Sequence, residues 1–244
     1  MPTLHFAIIG HPVQHSASAA FFAEKFSKEH IDADYQKLDI ADVKGLRELI
    51  ASKHLRGLNV TIPHKVAVIE QLDAVMPTAQ AVGAVNVISV ENGKLIGHNT
   101  DVLGFSESLK PLIGNRKKAI VLGTGGASKA VRAALEDLKV EFVVVSRNPS
   151  EHQIGYADIT PALLHSHTLV VNATPLGMAG ELVNEVPQLP YDAISAEHLI
   201  FDVVHTPAQT QFMKLAQEKG ATVVGGRTMF VKQAEETWKI WQQI

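Results

Sequence analysis

The sequence predicts an α/β chain of two domains, and three observations lead there. The stretch Ala119-Ile-Val-Leu-Gly-Thr-Gly-Gly-Ala-Ser-Lys-Ala-Val131 passes from a short apolar run into a glycine-rich turn. Ala130, Val131, Ala133, Ala134, Leu135 and Leu138 then recur at helical spacing. This is strand, tight turn and helix, the opening unit of a Rossmann-type doubly wound dinucleotide-binding domain. Strand-like and helix-like segments also alternate upstream, from Phe6 to about residue 75, which is an α/β layer in its own right. About half of the chain precedes the glycine loop, so that layer is expected to be a separate N-terminal domain. The expected division is 1–100 for the first domain, rejoined by a C-terminal helix at 227–244, and 101–226 for the dinucleotide domain, with a cleft between them.

The first half justifies its elements in order. Phe6-Ala-Ile-Ile9 reads as a buried strand, and the loop Gly10 to Ser18 leads into a helix from Ala19 to Phe26. Ser16 and Ser18 thus stand at a helix N-terminus. One serine there is an ordinary cap; two hydroxyls with free amides would also suit a small carboxylate. Ala33 to Asp39 alternates as a strand, Val43 to Ile50 is an amphipathic helix, and Leu55 to Ile62 is a further strand stopped by Pro63. Asn59, Thr61 and Lys65 therefore lie at the carboxyl end of a strand, where open α/β sheets bind ligands. Val66 to Leu72 reads as helix, and Val85–Val90 with Lys94–Gly97 as a hairpin across Glu91-Asn-Gly93. Asn99-Thr-Asp101 caps a helix from Val102 to Leu112.

In the second half, Glu141–Val145 is the second strand of the dinucleotide unit. An Asp or Glu at the end of that strand would accept from a ribose 2′-OH. Here Ser146-Arg147-Asn148 stands instead, with Arg147 twenty-four residues after Gly123, close to the ~20 expected. A guanidinium fork suits a 2′-phosphate, so the expected cofactor is NADP (NADPH). Leu169–Asn172, Leu199–Asp202 and Ala221–Val224 are three more strands, and Met229 to Gln242 is a closing helix. Thr124, Arg147, Asn172 and Asp202 all fall just beyond strand ends and are expected to trace the rim of a cleft. Ser128 replaces the third glycine of the usual fingerprint, and its hydroxyl is expected within reach of a phosphate.

Composition bounds the alternatives. The chain has 244 residues, a formal net charge of −3 and no cysteine. Disulfides, thiolate metal sites and a cysteine nucleophile are excluded, and cytoplasm is the expected compartment. With a pI near 6.5 there is no electrostatic case for nucleic acid or an anionic membrane as partner. Met1 to Ile9 lacks the basic and long apolar segments of a secretion signal, and no apolar run reaches membrane-spanning length. The twelve histidines show no metal-ligand spacing, and no metal is expected.

Together these motifs resemble the shikimate dehydrogenases, over nearly the whole chain. The most specific piece is Gly57-Leu-Asn-Val-Thr-Ile-Pro-His-Lys65, followed by Gly97-His-Asn-Thr-Asp101 with Gly104. Ser16-x-Ser18, Gly83-Ala-Val-Asn86, Asn172-Ala-Thr-Pro-Leu-Gly-Met178 and Gly226-Arg-Thr-Met229 through Gln233 add to it. The resemblance implies reversible reduction of 3-dehydroshikimate to shikimate with NADPH, a step of chorismate and aromatic amino acid biosynthesis. It makes the first domain the substrate domain. Ser16 and Ser18 would hold the substrate carboxylate. Asn59, Thr61, Asn86, Asp101 and Gln233 would bind ring hydroxyls. His205, where the family usually has a tyrosine, would help orient the substrate. Lys65 and Asp101 would be the catalytic pair. Gly123, Thr124, Gly125, Gly126 and Ala127 would cradle the cofactor pyrophosphate, with Ser146 and Arg147 at the 2′-phosphate. Asn172, Thr174, Met178 and Val203 would line the cofactor, and Gly226 and Met229 would lie near the nicotinamide. The protein would work as a monomer or homodimer. Two other readings remain: a quinate/shikimate dehydrogenase able to use NAD, and a catalytically silent NADP-binding sensor.

Overall fold

The computed structural model describes residues 3–244 and divides into two compact units. Of the described residues, one unit comprises 3–100 with 234–244 and the other 101–233.

In the first unit, β1 (Leu4–Gly10) lies between β2 (Ala33–Asp39) and β3 (Leu55–Val60), parallel to both. The hairpin β5 (Val87–Glu91) and β6 (Lys94–His98) joins β3 antiparallel, and the two-residue β4 (Ala74–Val75) pairs with β6. The order is β2-β1-β3-β5-β6-β4, a mixed sheet with helices α1 (Ser18–Lys28), α2 (Leu46–Ser52) and α3 (Pro77–Val82). One face is closed by an aliphatic cluster around Ile9, Leu46, Leu58 and Ile88. The other is closed by aromatic side chains: Phe6, Phe22 and Phe26 with Trp238 and Trp241 of α8 (Arg227–Trp241). Trp241 stacks on Phe6 at 4.5 Å between ring centroids and donates its indole N–H to the carbonyl of Ile88 at 3.1 Å. The indole lies so close over Gly57 that a Cβ at that position would overlap its Nε1. Only glycine lets the backbone of β3 come this near.

The second unit holds a six-stranded, wholly parallel sheet of β7 (Lys118–Leu122), β8 (Glu141–Ser146), β9 (Gln153–Gly155), β10 (Leu169–Asn172), β11 (Leu199–Asp202) and β12 (Thr222–Gly225). Its order, β12-β11-β10-β7-β8-β9, is that of the doubly wound dinucleotide-binding fold, with the switch point between β7 and β10. β10 and β11 are buried throughout, as expected for strands covered on both faces by helices. These helices include α4 (Asp101–Leu109), α5 (Gly126–Asp137), α6 (Pro161–Ser166) and α7 (Gln211–Glu218). Among the described residues no helix is long and apolar enough to cross a membrane.

Three local expectations are corrected. Residues 66–72 are not an α-helix but a short 3₁₀ turn at Ala67–Gln71. The carbonyl of Lys65 accepts from Val85 N–H at 2.7 Å, and Ile69 N–H turns instead to Val66, three residues back. The helix expected at 102–112 begins with Asp101 itself and ends at Leu109. The dinucleotide sheet has six strands rather than five: Gln153–Gly155 forms an edge strand on β8.

Trp241→Ala is expected to lower the unfolding free energy by about 3–5 kcal/mol, the range for a buried aromatic truncated to alanine, in denaturant titrations. A loss under about 1 kcal/mol would show that the C-terminal helix does not hold the first sheet.

Candidate active site

In the first unit the polar residues named from the sequence collect at the carboxyl ends of β1, β3 and β6 and at the start of α1. Ser18 is the first residue of α1 and is buried; its N–H bonds to Ser16 Oγ at 3.3 Å. The N-cap residue itself, Ala17, makes no side-chain capping bond. Asn59 is buried on β3, and its Oδ1 accepts the Tyr35 hydroxyl at 2.7 Å. Tyr35 also bonds to the Ser18 hydroxyl, and burial holds its phenol well above its ordinary pKa, so it stays a donor. A single neutral phenol thus joins the serine pair to Asn59, with its ring stacked on Phe22 at 4.8 Å. Asn59 Nδ2 reaches the carbonyl of Asn86 at 3.4 Å. The Asn86 carboxamide is clamped at both ends by Thr100, whose N–H donates to Oδ1 at 2.8 Å and whose Oγ1 accepts from Nδ2 at 2.9 Å. Thr61 and Lys65 are half-buried in the turn that leaves β3. This turn is pinned by His64, whose Nε2 bonds to the carbonyl of Ile40 at 2.7 Å. Sequence reasoning missed Tyr35 and Thr100. The signal for Tyr35 is slight, a lone aromatic in the mostly polar strand β2.

In the second unit, Gly123 adopts φ +102°, a left-handed conformation that suits glycine, directly against Ala173 and Thr174 of the neighbouring strand end. Gly125 is the N-cap of α5, and a Cβ there would meet nothing within 4 Å. That open backbone leads into a twelve-residue helix with no side-chain cap and no acidic residue in its first turn. Bare amides, a helix dipole and open space at the switch point together fit a pyrophosphate. Thr124 is exposed, and Gly126 and Ala127 are half-buried. Beyond β8, Ser146 Oγ accepts from Asn148 N–H at 3.2 Å, and Arg147 stands exposed. Its charge acts on the half-buried Tyr156, whose phenol is pushed up by burial and drawn partly back by the guanidinium. These residues fit a nicotinamide dinucleotide with a 2′-phosphate.

The expected rim is corrected at two of its four points. Thr124 and Arg147 are exposed, but Asn172 and Asp202 are fully buried. Asn172 bonds through its carboxamide to Thr174, Leu176 and Asp202, so it shapes the loop after β10. Asp202 Oδ1 accepts from Asn172 Nδ2 and from Val204 N–H, both at 3.0 Å, and Oδ2 accepts the Thr210 hydroxyl at 2.6 Å. Ser128 is fully buried, and its hydroxyl has no hydrogen-bond partner among the described residues. The remaining residues occupy the loops after the strands, α4 or α8. Thr174 and Val203 are half-buried, Met178 is exposed, and Met229 is buried. Gly226 lies so close to the carbonyl of Val203 that a side chain there would overlap it. His205 stacks on Phe230 at 4.7 Å. Gln233 is half-buried on α8, and Asp101 is buried in the first turn of α4.

Known proteins share this architecture. A family model described as the shikimate dehydrogenase substrate binding domain matches residues 8–88. The shikimate dehydrogenase (NADP(+)) of Staphylococcus haemolyticus is 33% identical over 250 residues, covering 98% of this chain and 92% of that one. The crystal structure of shikimate 5-dehydrogenase from Thermus thermophilus in complex with NADP(H) and shikimate superposes with a TM-score of 0.86 at 33% identity, over 99% of this chain and 94% of that one. Quinate dehydrogenase from Corynebacterium glutamicum in complex with NAD does so with a TM-score of 0.85 at 26% identity, over 99% of this chain and 94% of that one.

Burial raises the Asp202 carboxyl to about 6, against its hydrogen bonds, which act to lower it. An unfolded Asp ionises near ~3.9, so between these values the folded chain keeps a proton the unfolded chain has lost. The stability this adds is fully present below about pH 4 and is lost as pH rises through about 6, roughly 3 kcal/mol in all. Asp202→Asn is expected to flatten the pH dependence of the unfolding free energy between about pH 4.5 and about pH 7. Curves that run parallel for the variant and the wild type would mean that another group supplies the slope.

Proposed function

The chain belongs to the shikimate dehydrogenase family, and on that premise we propose that it reversibly reduces 3-dehydroshikimate to shikimate with NADPH. The observation that carries this reading is the near-full-length relationship at 33% identity, which spans both units. The setting is the cytoplasm, and the step serves chorismate and aromatic amino acid synthesis.

The residue roles follow from chemistry and from the family pattern. Ser16 and Ser18, beside free amides at the start of α1, bind the substrate carboxylate. Asn59, Thr61, Asn86, Asp101 and Gln233 hold the ring hydroxyls. His205, flat against Phe230, supports the substrate as a polar aromatic. When bound, the dinucleotide would supply a hydride to the substrate's carbonyl carbon. As negative charge then grows on the oxygen, the Lys65 ammonium gives it a proton; in the oxidation direction the lysine takes that proton back. Asp101 is the second catalytic residue and orients the reacting hydroxyl by accepting its hydrogen bond. Gly123 to Ala127 hold the pyrophosphate on backbone amides, and Ser146 and Arg147 hold the 2′-phosphate. Thr174, Met178, Val203, Gly226 and Met229 line the nicotinamide half, while Asn172 acts through the loop it shapes.

The resemblance to a quinate dehydrogenase bound to NAD keeps one alternative in view, since a single arginine follows β8. Reduced-cofactor absorbance with shikimate or quinate, each against NADP or NAD, separates them. Turnover is expected with shikimate and NADP; none with shikimate would overturn the reading, and equal turnover with quinate and NAD would favour the alternative. Lys65→Ala is expected to lower kcat by about 10²–10⁴-fold, the range for losing a general acid or base, with the NADPH dissociation constant within about twofold of the wild type. Retained turnover would remove the lysine from the reaction.

A further inference from the structure

We propose that Asp202 is a positioning residue for the cofactor site, setting the loops after β10 and β11 through its hydrogen bonds to Asn172 and Val204. The inference rests on the reading that the second unit binds the dinucleotide. Three donors from three separate segments converge on this one buried carboxylate. Asn172 ends β10 and Asp202 ends β11, and the two are direct neighbours in the parallel register. From Oδ1 the path runs to Asn172, whose own Oδ1 takes both the N–H of Thr174 at 3.1 Å and its hydroxyl at 2.6 Å. Thr174 Oγ1 in turn accepts from Leu176 N–H at 3.2 Å, so the turn 172–176 is determined link by link. The second bond on Oδ1 fixes Val204, whose carbonyl accepts from Gly226 N–H at 3.1 Å beyond β12. The carboxyl ends of β10, β11 and β12 are thereby tied to one group. The ends of these strands are where an open parallel sheet places its ligand.

Oδ2 has a different role. It accepts from Thr210, the N-cap of α7, whose Oγ1 also receives Met213 N–H at 3.3 Å. A fully buried carboxylate is costly to ionise, and an apolar side chain would pack here without that cost. What an apolar side chain cannot do is accept from Asn172 and Val204 together. An asparagine can, with its carbonyl in the place of Oδ1, because the Thr210 hydroxyl can reverse and accept from the amide nitrogen.

The test is a fluorescence titration of the full-length protein with NADPH, alongside the shikimate KM at saturating NADP and the thermal midpoint. Asp202→Ala removes the acceptor shared by three donors, both bonds on Oδ1 among them, and is expected to raise the NADPH dissociation constant at least about tenfold. The shikimate KM is expected to change less than the NADPH dissociation constant, because Ser16, Ser18, Asn59, Thr61 and Asn86 belong to the other unit and, of the substrate residues, only His205 lies on a loop that Asp202 sets. Asp202→Asn is expected to restore cofactor affinity to within about threefold of the wild type. Thr210→Val, which removes the bond on Oδ2 and the cap on Met213 N–H but leaves both bonds on Oδ1, is expected to lower the thermal midpoint without moving that affinity. Wild-type affinity in Asp202→Ala, no rescue by asparagine, or an equal loss in Thr210→Val would each overturn the proposal. If Asp202→Ala does not fold, Asn172→Ala reads the same arm: unchanged affinity there overturns the proposal, and a comparable loss supports it. Failure of the wild type to bind NADPH at all would refute the functional reading itself and this inference with it.

Discussion

The first unit depends on one contact, the indole of Trp241 packed close against Gly57. It joins the last turn of the chain's final helix to a strand more than 180 residues earlier, and it works only because position 57 carries no side chain. Around it Phe6, Phe22, Phe26 and Trp238 fill one face of the mixed sheet. The indole N–H is satisfied by the Ile88 carbonyl, so the aromatic wall adds no unpaired donor at that point. Two residues beyond Gly57 along the same strand is Asn59, at the polar end of the sheet. The spacing that buries Trp241 therefore also sets where that carboxamide stands.

Neutral hydrogen bonds order the carboxamides at the polar end of this unit. Tyr35, raised well above its usual pKa by burial, remains a phenol and bridges Ser18 and Asn59. Thr100 clamps Asn86 at both ends of its carboxamide. Each amide is thus held in one orientation, which decides whether it offers a donor or an acceptor to a hydroxyl-bearing substrate. A network of this kind discriminates between substrates by leaving buried groups unpaired when the wrong one binds, an effect that packing alone cannot match.

The second unit solves a different problem. Its glycine turn must be bare, and the structure keeps Gly125 open with an uncapped helix behind it. Its remaining strand ends must hold shape without secondary structure to support them. Buried polar residues supply that: Asn172 and Asp202, side by side in register, satisfy the loops that leave β10 and β11. The cost is a carboxylate fully out of water.

Sequence alone determined what depends on local chemistry. The change from strand to helical periodicity around Gly123, the basic residue after β8, and the placing of Asn59, Thr61 and Lys65 at and beyond the end of β3 are all legible because each rests on a few adjacent residues. The tertiary structure decided what depends on neighbours far apart in the chain. Gln153–Gly155 is too short to carry a period and becomes a strand only by pairing with β8. Residues 67–71 tighten into a 3₁₀ turn where the Lys65 carbonyl is engaged by Val85. Thr124, Arg147, Asn172 and Asp202 look alike in sequence, each a polar residue past a strand. Two face solvent and two are buried, because Asn172 and Asp202 are the last paired residues of β10 and β11 and bond to each other, whereas Thr124 and Arg147 lie beyond the ends of β7 and β8. Tyr35 shows the same limit: its partner Asn59 is 24 positions away, and the bond exists because β1 brings β2 and β3 to its two sides.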